Sequence, residues 1–238
     1  MCGIVGLVAP EGAVATAPPV RAMMDAVLHR GPDGEGCRLD GPCGLGHLRL
    51  SIIDQSPAAA QPMSNEDGSL WLVFNGEIYN YLELTDELRA KGHVFRSRAD
   101  SEVILHGFEE WGERCLDRFL GMWAFALWDR KARTLFCARD RAGMKPFYYT
   151  IAGGAFHFAS EIKALLALPE VPRRIDSATV GLFLKYHVKD FDERTSFEGI
   201  SQLPPAHSLT LRGGKLRVAR YWSMPNIADA DPPREFII

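Results

Sequence analysis

The sequence predicts an α+β fold of four layers, an αββα sandwich in which two antiparallel sheets pack face to face and helices cover their outer faces. Three observations predict it. Short apolar runs rich in β-branched and aromatic residues recur between Gly and Pro turns along most of the chain. Amphipathic helical segments fall between them at intervals. The run 121–129 is apolar on both faces of a strand, with Trp123, Phe125 and Leu127 on one side and Met122, Ala124, Ala126 and Trp128 on the other, so it must be covered twice.

The 238 residues, 47% hydrophobic and 24% charged, suit a globular chain with a substantial core. A formal net charge of −3 supplies no whole-chain basic field, so neither nucleic acid nor an anionic membrane is an expected partner. Five cysteines with no C-x-x-C spacing argue against a disulfide framework and against a structural zinc site. No basic-then-apolar leader precedes Cys2, and no run of about 18 apolar residues could span a bilayer. The expected setting is the cytoplasm, where thiols stay reduced.

In chain order, residues 3–8 form a short β-branched run read as a buried strand, with Cys2 at its very start. If Met1 is removed, Cys2 carries a thiol, with a pKa of about 8.5, and a free α-amine, at about 7.7 to 8.0, on one residue: a nucleophile with its own base. The other reading of Cys2 is a buried strand start. Positions 20, 23, 24, 27 and 28 follow helical spacing, and the helix stops before the turn His29-Arg30-Gly31-Pro32-Asp33-Gly34. Residues 45–52 alternate as a strand, placing Leu48, Leu50 and Ile52 on one face and His47, Arg49 and Ser51 on the other. Arg49 is then either an exposed arginine or a guanidinium fork for a carboxylate. Residues 54–69 read as a long loop.

The strand 70–74 runs into Asn75-Gly76, which is either a hairpin turn or a pair of donors for an oxyanion. Residues 81–91 form a helix ended by Gly92. Asp100 precedes a second amphipathic helix and reads either as its N-cap or as a carboxylate for a substrate ammonium. Strands follow at 121–129, 134–138, 147–151 and 155–159, then helices near 160–168 and 177–187, and a closing hairpin with strands near 207–211 and 215–221. After Trp222 the composition turns polar and Pro-rich, giving a domain over 1–222 and a linker over 223–238.

Taken together, Cys2-Gly3-Ile4-Val5-Gly6, Arg30-Gly31-Pro32-Asp33, Arg49-Leu50-Ser51-Ile52, Phe74-Asn75-Gly76-Glu77-Ile78-Tyr79-Asn80, Asp100-Ser101-Glu102, Arg139-Asp140-Arg141 with Lys145-Pro146, and Ala159-Ser160-Glu161-Ile162-Lys163 resemble, in order, the class II glutamine amidotransferases. These are N-terminal nucleophile hydrolases, and the resemblance is specifically to the glutaminase half of glutamine-hydrolysing asparagine synthetases. The resemblance implies that Cys2 attacks the side-chain amide of L-glutamine. It implies an oxyanion hole from the Asn75 side chain and the Gly76 N–H. Substrate binding is assigned by it to Arg49, Ile52, Glu77 and Asp100, with Arg49 on the α-carboxylate and Asp100 on the α-ammonium. No cofactor or metal is implied for this domain; ATP and Mg are expected only for a synthetase domain, whose Ser-Gly-Gly-x-Asp-Ser loop does not occur before Ile238. The expected partner is such a domain or subunit, which takes the ammonia to amidate aspartate or a related acceptor; homodimerisation is left open. Two alternatives stay open: a non-catalytic regulatory or docking module of the same fold, and a glutaminase serving another acceptor pathway.

Overall fold

The computed structural model describes residues 1–188 and 192–224. One six-stranded sheet has the order β10-β8-β9-β1-β3-β2 and the other β12-β11-β7-β6-β5-β4. The first is built from β1 (Gly3–Val8), β2 (Gly34–Asp40), β3 (Cys43–Arg49), β8 (Tyr148–Ala152), β9 (Ala155–Ala159) and β10 (Ile200–Gln202). The second contains β4 (Met63–Ser64), β5 (Leu70–Ile78), β6 (Gly121–Asp129), β7 (Thr134–Arg139), β11 (His207–Arg212) and β12 (Lys215–Arg220). Every ladder is antiparallel.

Strand alternation sorts the side chains into three cores. In β1, Ile4 faces the second sheet and packs with Leu45, Val73, Ala124 and Phe158, whereas Val5 and Leu7 face outward. There they meet helix α1 (Ala17–Asp25) through Val20, Met23 and Met24, together with α4 (Ile162–Leu165) through Ala164 and Leu165. On the outer face of the second sheet, Leu72, Phe74, Phe125 and Leu127 pack against α2 (Tyr81–Ala90) and α3 (Glu102–Trp111) through Leu84, Leu88, Val103 and Ile104. The two faces read for 121–129 separate as expected, since Trp123, Phe125 and Leu127 join the helix-side core and Ala124, Ala126 and Trp128 the inter-sheet core. The four-layer αββα arrangement expected from the sequence is the one observed. Close packing of α1 on β3 relies on Gly46, where a Cβ would lie 2.7 Å from Val5 Cγ2 and 2.8 Å from Met24 Sδ.

Several local expectations are corrected. The strand read over 45–52 spans Cys43–Arg49, so Leu50, Ser51 and Ile52 lie beyond the ladder. Leu50 and Ser51 instead give their backbone N–H groups to Cys2 Sγ and Asp33 Oδ2. The strand β2 was not legible, because Gly34-Glu35-Gly36-Cys37-Arg38-Leu39-Asp40 is an edge strand with mostly exposed side chains and no apolar alternation. The first helix starts earlier, at Ala17, with Pro18 and Pro19 in its first turn, and Leu28–Arg30 form a separate 3-10 turn. Only Ile162–Leu165 of the helix near 160–168 is α-helical. The helix α5 (Ser177–Tyr186) falls where expected. Of the proposed linker, residues 225–238 lie outside the described residues. All five cysteines are free thiols. Among the described residues no helix is long and apolar enough to cross a membrane.

Candidate active site

At one end of the slot between the sheets lies a cleft of about 80 Å³ whose walls include Cys2, Arg49, Ile52, Asn75, Gly76, Glu77 and Asp100. All seven residues singled out in the sequence are thus brought together from four separate segments. Pairing of Gly3 with Leu48 and of Ile4 with His47 carries Cys2, one residue ahead of β1, to the level of Arg49 at the end of β3. Asn75 comes from the opposite sheet, on β5, with its side chain on the inter-sheet face shared with Val73.

Cys2 is half-buried. Its thiol donates to the carbonyl of Leu50 at 3.6 Å and accepts from the Leu50 N–H at 3.4 Å. Burial raises the Cys2 thiol above its ordinary pKa, opposed by the Leu50 contact and by the positive charges of the chain terminus, Arg49 and Arg30. Its backbone is held from the outer side: Arg30 Nε donates to the Cys2 carbonyl at 2.9 Å while Nη1 of the same guanidinium binds Glu161 Oε1 at 2.9 Å. Next along, Ser160 Oγ accepts from the Ile4 N–H at 3.0 Å. Met1 precedes Cys2 at the mouth of the cleft, with its sulfur 3.2 Å from Lys145 Nζ. The Cys2 nitrogen is therefore a peptide nitrogen in this form of the chain.

Asn75-Gly76 is not a hairpin. It lies inside β5, with Asn75 opposite Ala124 and Gly76 opposite Trp123 on β6. A Cβ on Gly76 would come within 2.3 Å of the Met122 carbonyl and 2.6 Å of Trp123 Cα, so only glycine fits so close to β6. Asn75 is 1% exposed, and its Nδ2 has no hydrogen-bond partner among the described residues. A buried amide donor left bare costs about 1–3 kcal/mol, which marks it as a group awaiting an acceptor. The Gly76 N–H follows from the ladder. Trp123 donates to Asp140 Oδ2 and its carbonyl accepts from the Asp140 N–H, so its polar groups point toward β7, away from Gly76. The Gly76 N–H therefore points to the other edge of β5, which pairs with β4 only at Trp71 and Leu72. On that edge the Phe74 N–H donates to Gln61 Oε1 at 2.6 Å and the Ile78 N–H to Asp100 Oδ2 at 2.9 Å. Gly76 stands between them, facing the cleft with the Asn75 amide.

Asp100 does not cap α3, whose N-cap position is Ser101 and lacks a side-chain bond. Instead it is buried on the β5 edge, where desolvation first, and then the neighbouring Glu77 charge, push its carboxyl up to about 6. Arg49 forms no ion pair among the described residues; its guanidinium donates to the carbonyls of Ser56 at 3.1 Å and Asp54 at 2.5 Å, shaping the loop that carries Ile52. Ile52 is 61% exposed at the cleft rim.

Sequence reasoning missed His47 and Gln61 as members of the site. His47 is buried in the cleft wall against the Phe74 carbonyl at 3.1 Å, so its Nε2 carries the proton. Desolvation lowers it to about 4, keeping it neutral. The signal was its position two residues before Arg49 on the same face. Farther off, His93, His106 and Glu109 bring ligand atoms within 4.8 Å of one another. Burial disfavours a charge on His106, but Glu102 and Glu109 overcome it and raise the imidazole to about 9. His106 lies 3.1 Å from Glu109 and 3.6 Å from Glu102, an ion-pair cluster along α3.

A thiol thus heads a strand at the end of a slot between two antiparallel sheets, with helices packed on their outer faces. The chain belongs to the glutamine amidotransferase domain family, whose model matches residues 1–222. It is 38% identical over 234 residues, 97% of its own length, to asparagine synthetase [glutamine-hydrolyzing] 3 of Bacillus subtilis, of which it spans 38%. A putative asparagine synthetase [glutamine-hydrolyzing] of Mycobacterium tuberculosis is 46% identical over 188 residues, 72% of this chain and 28% of that protein. Among solved structures, the fold resembles glutamine phosphoribosylpyrophosphate amidotransferase from B. subtilis, with a TM-score of 0.70 at 19% identity, covering 94% of this chain and 50% of the other.

Proposed function

We propose that this domain hydrolyses the side-chain amide of L-glutamine, with Cys2 as nucleophile once Met1 is removed. The observation that carries the reading is the bare Asn75 Nδ2 buried in the same cleft as the Cys2 thiol. The freed α-amine of Cys2 takes the thiol proton, and Sγ attacks the amide carbon. The carbonyl oxygen, now negative, receives hydrogen bonds from Asn75 Nδ2 and the Gly76 N–H. As the C–N bond breaks, the proton passes from the Cys2 ammonium to the leaving nitrogen and ammonia departs. Water then adds to the thioester carbon, its proton returns through the amine to Sγ, and glutamate is released. Arg49 holds the α-carboxylate and ionised Asp100, with Glu77 beside it, the α-ammonium. Ile52 closes the rim.

The domain is assigned to residues 1–222, followed by a linker. Kinship with glutamine-hydrolysing asparagine synthetases supports delivery of the ammonia to an ATP-dependent synthetase domain or subunit that amidates aspartate or a related acceptor. The test is glutamate release from glutamine by the Met1-free chain and by Cys2→Ala. The native chain is expected to turn over and the variant to be inactive; equal rates would overturn the reading.

A further inference from the structure

The two halves of the proposed glutamine clamp stand on different sheets. Arg49 ends a strand of the first sheet, and Asp100 binds the edge of a strand of the second. The segment between Arg49 and Ser56 crosses from one to the other, and Asp54 is where it lands. One carboxylate oxygen of Asp54 accepts from the Ser56 N–H at 2.8 Å, closing the turn of its own loop. The other accepts from the Arg98 N–H at 2.8 Å, two residues before Asp100. The backbone carbonyl of the same residue receives the Arg49 guanidinium. Arg49 is thus tied to Asp54 through the main chain, and Asp54 to the Asp100 segment through its side chain. Backbone N–H bonds to the Asp54 carboxylate, Arg98 first, hold its pKa below the usual aspartate value, so the group is ionised at neutral pH and both oxygens accept.

We infer that Asp54 is a positioning residue that fixes the distance between the carboxylate-binding Arg49 and the ammonium-binding Asp100, and so sets selectivity for an α-amino acid amide. The inference rests on the glutaminase reading above. Asp54 touches no reacting atom. Its effect falls on how well one ligand engages both anchors at once, which is a coupling between binding groups. In the native enzyme, a substrate lacking the α-ammonium forfeits a contact that Asp54 has placed in register. Without Asp54 that contact is poorly placed already, so less is lost.

The experiment compares L-glutamine with glutaramate, its analogue without the α-amino group, on the Met1-free native chain, on Asp54→Ala and on Asp54→Asn. The expected result for Asp54→Ala is a KM for glutamine raised about tenfold, a kcat within about threefold of native, and a glutaramate-to-glutamine KM ratio at least about threefold smaller than native. Asp54→Asn, which keeps one acceptor, is expected to fall between. An unchanged ratio in a folded Asp54→Ala, or equal loss on both substrates, would show a loop-capping residue only and overturn the coupling. If Asp54→Ala does not fold, the ratio in Asp54→Asn decides by the same criterion. Failure of the native chain to release glutamate would overturn the glutaminase reading itself, and the coupling with it.

Discussion

Asn75 and Cys2 reach the same cleft from opposite sheets, and the Asn75 amide arrives there with its Nδ2 buried and without a partner among the described residues. Strand geometry sets this meeting. Cys2 is carried in by the antiparallel pairing of β1 with β3, and Asn75 by the pairing of β5 with β6.

Asn75→Ala separates chemistry from stability. The variant removes a donor aimed at the oxyanion, and a fall in kcat of about 10²–10³ is expected with little change in KM. Because the native Nδ2 is already unsatisfied, the variant should melt within a few degrees of native. Kinetics beside a thermal melt check both halves; a variant that loses stability but keeps kcat would make Asn75 structural.

Arg49→Ala should act on binding. With the guanidinium gone, the α-carboxylate loses its partner and the loop carbonyls of Asp54 and Ser56 lose theirs. A KM for glutamine raised at least about tenfold is expected, exceeding the change in kcat. Steady-state kinetics with a circular dichroism check of folding measures it.

How much of this was legible in the sequence depends on the kind of interaction. The double-sided apolar run of β6 revealed the sandwich because burial on both faces leaves a direct mark on residue type. Cys2, Arg49, Asn75 and Asp100 were legible as chemistry but not as geometry. Asn-Gly carries the local chemistry of a turn, and only the 2.3 Å approach of Met122 to the Gly76 position shows why a strand interior needs that glycine. Asp100 resembled a cap because caps are local, whereas its true partner, the Ile78 N–H, is distant in sequence. The edge strand β2 left no periodic trace, since its ladder bonds to β3 need no apolar alternation.

Asp100 predicts a pH dependence. Its carboxyl is raised from 3.8 to about 6, so the folded state holds its proton more tightly than the unfolded chain. Its contribution to stability is therefore present below pH 3.8 and lost as pH rises through about 6. Binding runs the opposite way, because only the ionised carboxylate attracts the α-ammonium. The KM for glutamine should fall about tenfold between pH 5 and 7, and Asp100→Asn should flatten that profile and raise KM throughout. A native profile flat in KM would remove Asp100 from the clamp.

Gly76→Ala should cost about 2–3 kcal/mol of stability, because the new methyl meets the backbone of β6 rather than a side chain that can turn aside. Displacing β5 also moves the Gly76 N–H, so activity should fall with it. Chemical denaturation alongside glutamate release tests this.

The role of Cys2 as nucleophile is tested most directly by covalent trapping. The Met1-free chain is incubated with 6-diazo-5-oxo-L-norleucine, an electrophilic glutamine analogue, and the modified residue is mapped by peptide mass spectrometry, with L-glutamine as competitor. A single adduct on Cys2, suppressed by glutamine and absent from chains that retain Met1, is the expected result. No adduct, or one on another cysteine that glutamine does not suppress, would contradict it.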